Sequence, residues 1–320
     1  MTDVDTLPRG DVTAALALAP HLSAVGAGLA DPTGFGHYVH TLRSLGAHDL
    51  TSARVVEPHL DACAILAQAG TGPDAFGEGS TWGVYASRAP GLHATEVDGQ
   101  WFLDGDKPWC SLADRLDRAL VTAGTSEGQR LFVLDLGADG VDVLDQPWVA
   151  RGLADIRSTG LRLHHVPVAP VEGPNFYLDR PGFAWGGIGV AAVWAGGVDA
   201  LTERVHAAAR DREPDQIALL HLGRLDALRH VIDATLADAV RQVETGCACG
   251  PDGALLAARV RCIVAEAGEL ALTVAGHALG PGPMTGDERH ARLVGDLTVY
   301  LRQHHAERSL ADLGRQSLGG

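Results

Sequence analysis

The sequence holds a single lysine, Lys107, within a total of 25 lysines and arginines, and these are outnumbered by 40 aspartates and glutamates. The formal net charge of -15 excludes the broad basic surface that nucleic-acid binding needs to neutralise phosphates. Cysteine is scarce and odd in number: the five (Cys63, Cys110, Cys247, Cys249 and Cys262) stand at irregular spacing. That count argues against a disulfide framework and for reduced thiols in a cytoplasm. The close pair Cys247-Ala248-Cys249 is flanked by Gly246 and Gly250 as in a loop. No second Cys/His pair follows at zinc-ligand spacing, so no metal site is expected. The most apolar run, Gly186 to Val198, is short, rich in glycine and ended by Asp199, which argues against a membrane span. No targeting peptide is evident at the N-terminus. There is no internal repeat or low-complexity tract, and no G-x-G-x-x-G follows a strand, which disfavours a Rossmann dinucleotide fold. The near-absence of lysine itself fits codon bias in a GC-rich genome, as does the abundance of Ala, Gly and Arg.

What is present is ample for a core. The 320 residues, 46% hydrophobic and 20% charged, suffice for two domains or one large one. Residues 1–80 read as helical: Asp11 can cap a helix through Ala14, Leu16 and Leu18, a second covers Tyr38 to Leu45, and a third covers Ala53 to Ala69. From Thr81 the pattern changes to short strands, Trp82–Ser87, Leu92–Val97, Trp101–Leu103, Arg118–Ala123, Arg130–Leu136, Val141–Leu144 and Gly160–Val168. Strands of this length and spacing predict a compact antiparallel barrel or sandwich over 81–172. After Pro167–Pro174 the chain turns helical again. Four long amphipathic segments, the first from Phe183 to Arg210, the second from Asp215 to Val243 and the last from Asp287 to Leu313, predict a four-helix bundle over 173–320. The fold class is therefore α+β, in the order helices, antiparallel β domain, bundle.

One stretch stands out, Val97 to Ser111. Asp98-Gly99 signals a tight hairpin turn and Asp104-Gly105 a second turn. Lys107-Pro108-Trp109-Cys110-Ser111 then offers an aromatic, a thiol and a hydroxyl in close succession, able to press a flat ligand with π surface and a hydrogen bond. Asp104 to Ser111 resembles the "L-N-G-x-K-x-W-I-T/S" segment of the acyl-CoA dehydrogenase family. Arg151 to Pro170, with Gly152-Leu153, Arg157-Ser158-Thr159 and Val166-Pro167, is similar to the family's "G-x-R-x-S-x-T … V-x-V-P" exit from the β domain. Asp287 to Gly314 is similar to the end of some bacterial members, notably at Arg289-His290-Ala291-Arg292 and from Tyr300 to Glu307. The order of the elements agrees, with a shorter N-terminal part.

The resemblance implies a flavin enzyme, with FAD between the β domain and the bundle and its adenine end reaching a second subunit, hence a homodimer or homotetramer. It places Trp109 against the flavin ring, Ser111 near its redox-active nitrogen with Cys110 between them, and Arg210 at the diphosphate of a neighbouring subunit. It further implies a small acyl substrate, possibly a CoA thioester. The departures are equally specific. The family's T-E-P-x-x-G-S-D loop is replaced by Trp82 to Gly91. The "R-x-Q-F-G" segment keeps only Arg210 of Arg210 to Pro214, and "Q-x-x-G-G-x-G" aligns loosely with Ala275 to Gly280. The carboxylate that many members place after a Tyr is Leu301 here, following Tyr300, and the alternative position reads Phe183-Ala184-Trp185. On a continuous helix Asp296, Tyr300 and His304 would share one face, which makes His304 a candidate base or a partly packed surface residue. Three readings follow: an acyl-CoA dehydrogenase-like oxidoreductase, an oxygen-using flavin enzyme on the same fold, or a non-catalytic relative.

Overall fold

The computed structural model describes Leu7–Asp211 and Glu213–Leu318. Four helices come first: α1 (Val12–Leu18), α2 (Ser23–Ala27), α3 (Phe35–His48) and α4 (Leu50–Gln68). Asp11 caps α1 by accepting from Ala14 N. Asp49 caps α4 by accepting from the Ser52 amide and hydroxyl at 2.8 and 2.7 Å. Such caps satisfy amides that have no partner within the helix.

Seven strands follow: β1 (Trp82–Tyr85), β2 (His93–Val97), β3 (Gln100–Ser111), β4 (Arg118–Thr125), β5 (Gly128–Asp135), β6 (Val141–Val143) and β7 (Ser158–Val171). The pairings β4–β2–β3–β7–β5 return to β4 and close a barrel, with β1 added on β4 and β6 on β7. Most pairs are antiparallel, but β4 runs parallel to both β1 and β2. The seven strands lie within a few residues of the short runs expected from the sequence, with one correction. The expected turn at Asp104-Gly105 is a bulge inside β3, which continues to Ser111. Gly105 has φ +119°, and a Cβ there would lie 2.0 Å from the Gly91 carbonyl oxygen, so only glycine lets the strand run on.

The barrel interior is apolar, built from residues such as Leu103, Phe132, Leu161 and Val166. Lys107 also points inward and is 1% exposed. Its ammonium donates to the Ser87 carbonyl (2.7 Å), the Thr122 carbonyl (3.1 Å) and the Thr122 hydroxyl (3.1 Å). Three acceptors match its three donors, and the bonds tie β3 to β4 and to the segment after β1. Burial pulls its pKa down from 10.5 to about 8.

The outer wall of the barrel at Trp82, Leu120 and Leu131 packs on Ala62, Ile65 and Leu66 of α4. After α5 (Phe176–Asp179), the long helices α6 (Gly182–Arg210), α7 (Gln216–Glu244) and α8 (Gly250–Leu279) lead through α9 (Gly282–Gly286) to α10 (Glu288–Tyr300) and α11 (Glu307–Ser317). Helices α6, α7, α8 and α10 form the bundle, and α3 packs along α6. By length and composition alone α6, α8 and the segment Val12–Ala30 could cross a membrane. The sequence reading took Gly186–Val198 as too short for that, but it lies within the 29 residues of α6. Much of the apolar surface of α6 is buried inside the protein.

The single terminal helix expected from Asp287 to Leu313 is broken. After Tyr300 the chain tightens into a 3-10 turn over Leu301–Gln303, then passes Ala306 at φ 44° before α11 begins. His304 therefore does not continue the face of Asp296 and Tyr300. Asp296 instead accepts from Leu153 N (2.6 Å) and the Thr51 hydroxyl (2.9 Å). It joins the bundle to the barrel exit and to α4.

Because Lys107 is the only lysine, the one side-chain amine that an amine-reactive label can meet lies inside the barrel. We expect Lys107 to stay unmodified in the native protein and to react once the chain is unfolded in denaturant, as read by peptide mass analysis. Rapid labelling of Lys107 under native conditions would contradict its placement.

Candidate active site

Helix α4 is almost entirely buried, yet it carries Arg54, Glu57, Pro58 and Asp61 at positions i, i+3, i+4 and i+7. That spacing sets them on one face. The face lines a cavity of about 770 Å³ between the barrel and the bundle. Val84 to Ser87 and Trp109 supply the barrel wall, Phe183, Gly186 and Gly187 come from α6, and Ala257, Arg261 and Cys262 from α8. His304, His305 and one side of α11 (Ser309, Asp312 and Gln316) complete it.

Trp109 is 66% exposed, and no other aromatic side chain among the described residues is as open. It adopts φ 63°, in the left-handed region, between β3 residues whose register shifts from Lys107 to Cys110. A bulky residue held there is locally strained, and strain of this kind is sustained by its surroundings and clusters at functional sites. The surroundings are visible: the Lys107 ammonium and the Ser87 hydroxyl, which donates to the Pro108 carbonyl at 2.9 Å, grip the strand on the residues just before it.

The other residues expected at a cofactor are distributed differently. Cys110 is turned into the barrel core, its thiol donating to the Lys107 carbonyl at 3.3 Å. The bulge turns Trp109 out and Cys110 in, so the Cys110 side chain faces the barrel core and not the cavity. Ser111 sits behind the cavity, its hydroxyl 2.8 Å from that of Ser158 and accepting from Arg54 at 3.3 Å. Arg210 ends α6 and pairs with Glu203 on the surface. It lies roughly 35 Å along the helix from Gly187 at 1.5 Å per residue, so within this chain it does not reach the cavity. Arg212 of the same segment lies outside the described residues.

The charged groups on the floor were not singled out in the sequence. Glu57 is 8% exposed; its Oε2 accepts from Arg54 (3.2 Å) and from the Tyr300 hydroxyl (3.3 Å). Its Oε1 takes no hydrogen bond among the described residues. Burial raises the Glu57 pKa, Arg54 opposes the rise and Asp61 adds to it. Asp61 is likewise raised by burial and faces Arg180, whose side chain is 2% exposed and which also donates to Gln68. Arg261 lies 4.8 Å over the Trp194 ring and donates to the carbonyls of Gly187 (3.1 Å) and Gln303 (3.4 Å). The signal that could have found this floor is a stripe of charges, Arg54, Glu57 and Asp61, at helical spacing on a largely apolar helix, which must face either solvent or a site.

His304 does line the cavity, with Nε2 3.4 Å from the Cys262 thiol. Burial, then the charges of Arg261, His305 and Arg302, hold its pKa below the ordinary value, so the ring is neutral near pH 7. Leu301, at the position where the resemblance would have a carboxylate, is buried and lies against Gly268.

No protein-family model matches the sequence, and no curated protein matches it. Solved structures do match. KijD3, in complex with FMN and dTDP-3-amino-2,3,6-trideoxy-4-keto-3-methyl-D-glucose, aligns with a TM-score of 0.80 at 19% identity, over 98% of this chain and 88% of that one. Butyryl-CoA dehydrogenase from Megasphaera elsdenii aligns with a TM-score of 0.76 at 17% identity, over 99% of each chain. FMN-bound TdsC from Paenibacillus sp. A11-2 aligns with a TM-score of 0.76 at 16% identity, over 89% of this chain and 84% of that one. The chain has the acyl-CoA dehydrogenase fold.

The raised pKa of Glu57 has a consequence for stability. The folded protein binds this proton more tightly than the unfolded chain, so the contribution falls as pH rises from the ordinary value of 4.5 through the raised one. Glu57→Gln removes that term. Thermal midpoints measured from pH 4.5 to 7.5 should fall less steeply for the variant than for the wild type; equal slopes would place Glu57 in water.

Proposed function

We propose that this chain is a flavin-dependent oxidoreductase that oxidises a small acyl substrate in the cavity between barrel and bundle. The observation that carries the proposal is Trp109, an open aromatic face held in a strained backbone on the wall of a cavity large enough for a ligand, in a fold whose solved relatives include FMN complexes. Cavities of this size suit drug-sized ligands. The residues fit a flat heteroaromatic ring, because Trp109 offers stacking surface and Gly186, Gly187, Ala257 and Ala258 keep part of the helical wall low. A bound flavin supplies the two-electron oxidant that no side chain provides. FAD is the form the sequence resemblance implies, while the KijD3 and TdsC structures hold FMN. Chromatography of the released flavin distinguishes the two.

The chain's own part is to hold the substrate and manage its proton. Glu57 is the acceptor we assign. Tyr300 and Arg54 both occupy Oε2, which fixes the carboxylate and leaves Oε1 for an incoming proton. Burial raises its basicity, as a general base working near neutrality requires. A coenzyme A thioester is the substrate form the resemblance implies. The second reading, an oxygen-using flavin enzyme, is favoured by Leu301 standing where the resemblance would have a carboxylate. Self-association as a dimer or tetramer is supported by the apolar, exposed Ile217, Leu219, Leu220 and Val231 of α7 and by the distance of Arg210 from this chain's own cavity. Sedimentation as a monomer would count against it.

Flavin titration of the protein should give saturable binding that Trp109→Ala weakens by roughly 3- to 10-fold, the worth of an aromatic stack. Unchanged affinity removes Trp109 from the site. Glu57→Gln should keep its flavin and lose at least about 100-fold in anaerobic flavin reduction by an acyl-CoA panel. Full reduction in that variant shows that another group takes the proton, and no reduction in the wild type by any substrate favours the oxygen-using or non-catalytic reading.

A further inference from the structure

The charges on the cavity floor do not balance. Arg54 pairs with Glu57, and Arg180 faces Asp61. Asp312, at the rim, is exposed and pairs with Arg315. Arg261 has no carboxylate within ion-pair distance among the described residues, and its two recorded partners are neutral carbonyls. A guanidinium has five N–H donors, so most of them are unused. The group is nevertheless held in place from three sides, by α6 through Gly187, by the 3-10 turn through Gln303, and by the Trp194 ring beneath it. Burial depresses its pKa and the charge of Glu57 opposes the drop from beyond contact distance, so the cation has left water without an ion-pair partner of its own. Beside it the wall is made of the small residues Gly187, Ala257 and Ala258. The cavity is therefore open next to a fixed guanidinium that has no ion-pair partner among the described residues.

We propose that the substrate of this cavity carries one carboxylate, held by Arg261. Guanidinium and carboxylate match in planarity and can form paired, charge-assisted bonds. The same pairing is open to phosphate, but the neighbouring Glu57 and Asp61 would repel a dianion, and the floor offers one guanidinium without an ion-pair partner among the described residues. A purely hydrocarbon acyl chain is disfavoured for the converse reason: it would cover five charged side chains without offering any of them a partner. The inference deepens the proposed function by taking the cavity as the substrate site, but it is tested by binding and not by turnover.

The test uses the full chain as purified, at fixed pH and ionic strength, with thermal midpoint and calorimetric titration as readouts. Three probes are compared: butyrate, its neutral counterpart butyramide, and inorganic phosphate. Butyrate should stabilise the wild type saturably, and butyramide should not. Arg261→Gln should need at least about tenfold more butyrate for the same effect while retaining its flavin content. Equal responses to butyrate and butyramide, or none to either, overturn the proposal, as does unchanged butyrate binding by Arg261→Gln. Tighter binding of phosphate than of butyrate overturns the carboxylate assignment. If Arg261→Gln does not fold, the wild-type comparison of the two isosteric probes decides by itself. A colourless protein that still binds butyrate through Arg261 would separate failure of the flavin reading from success of this one.

Discussion

A single buried carboxylate holds the parts of this chain in the arrangement that creates its cavity. Asp296 on α10 accepts from Thr51 on α4 and from the Leu153 amide at the barrel exit, so three segments distant in sequence meet at two oxygens. Beside it a Cβ on Gly152 would lie 1.8 Å from the Gly295 carbonyl oxygen, and the loop reaches α10 only because no side chain intervenes. Losing one partner of such a junction leaves a buried polar group unsatisfied, which costs more than the bond itself contributes. With α4 anchored there, its Ala62, Ile65 and Leu66 pack on the barrel, and its charged stripe faces the space between barrel and bundle.

The same concern with buried charge runs through the site. Lys107, inside the barrel, meets an acceptor for each of its donors and thereby steadies the segment that bears Trp109. Glu57 and Asp61 each face an arginine. Arg261 is the exception on the floor. Among the described residues its guanidinium donates only to neutral carbonyls and lies beside open space, which is how a binding group differs from a structural one.

The fold was legible because it rests on local patterns. Short runs bounded by Gly, Asp or Pro mark the strands, and the three- and four-residue spacing of apolar residues marks the bundle helices. What local pattern could not show was geometry set by long-range contact. Gly105 looked like a turn residue, and only the closeness of Gly91 makes it a bulge. His304 looked like the third residue of a helical face, and the break before α11 sends it elsewhere. Of the segment that carried the resemblance, Trp109 reaches the cavity, Ser111 lies behind Arg54, and Cys110 faces the core. Helical spacing in α4 is carried by its apolar positions Val56, Leu60, Cys63 and Ala67, and that spacing is silent about the charges between them. Arg54, Glu57 and Asp61 between them become informative only when every other face of that helix is known to be buried.

The account stands on the claim that this cavity receives a flavin ring against Trp109. A crystal structure of the flavin-loaded protein tests that most directly. The account predicts the isoalloxazine in contact with the Trp109 side chain, with Glu57 and Arg261 lining the remaining space beside it. A flavin seated elsewhere on the chain, or a cavity that stays empty of flavin at saturating concentration, would contradict it.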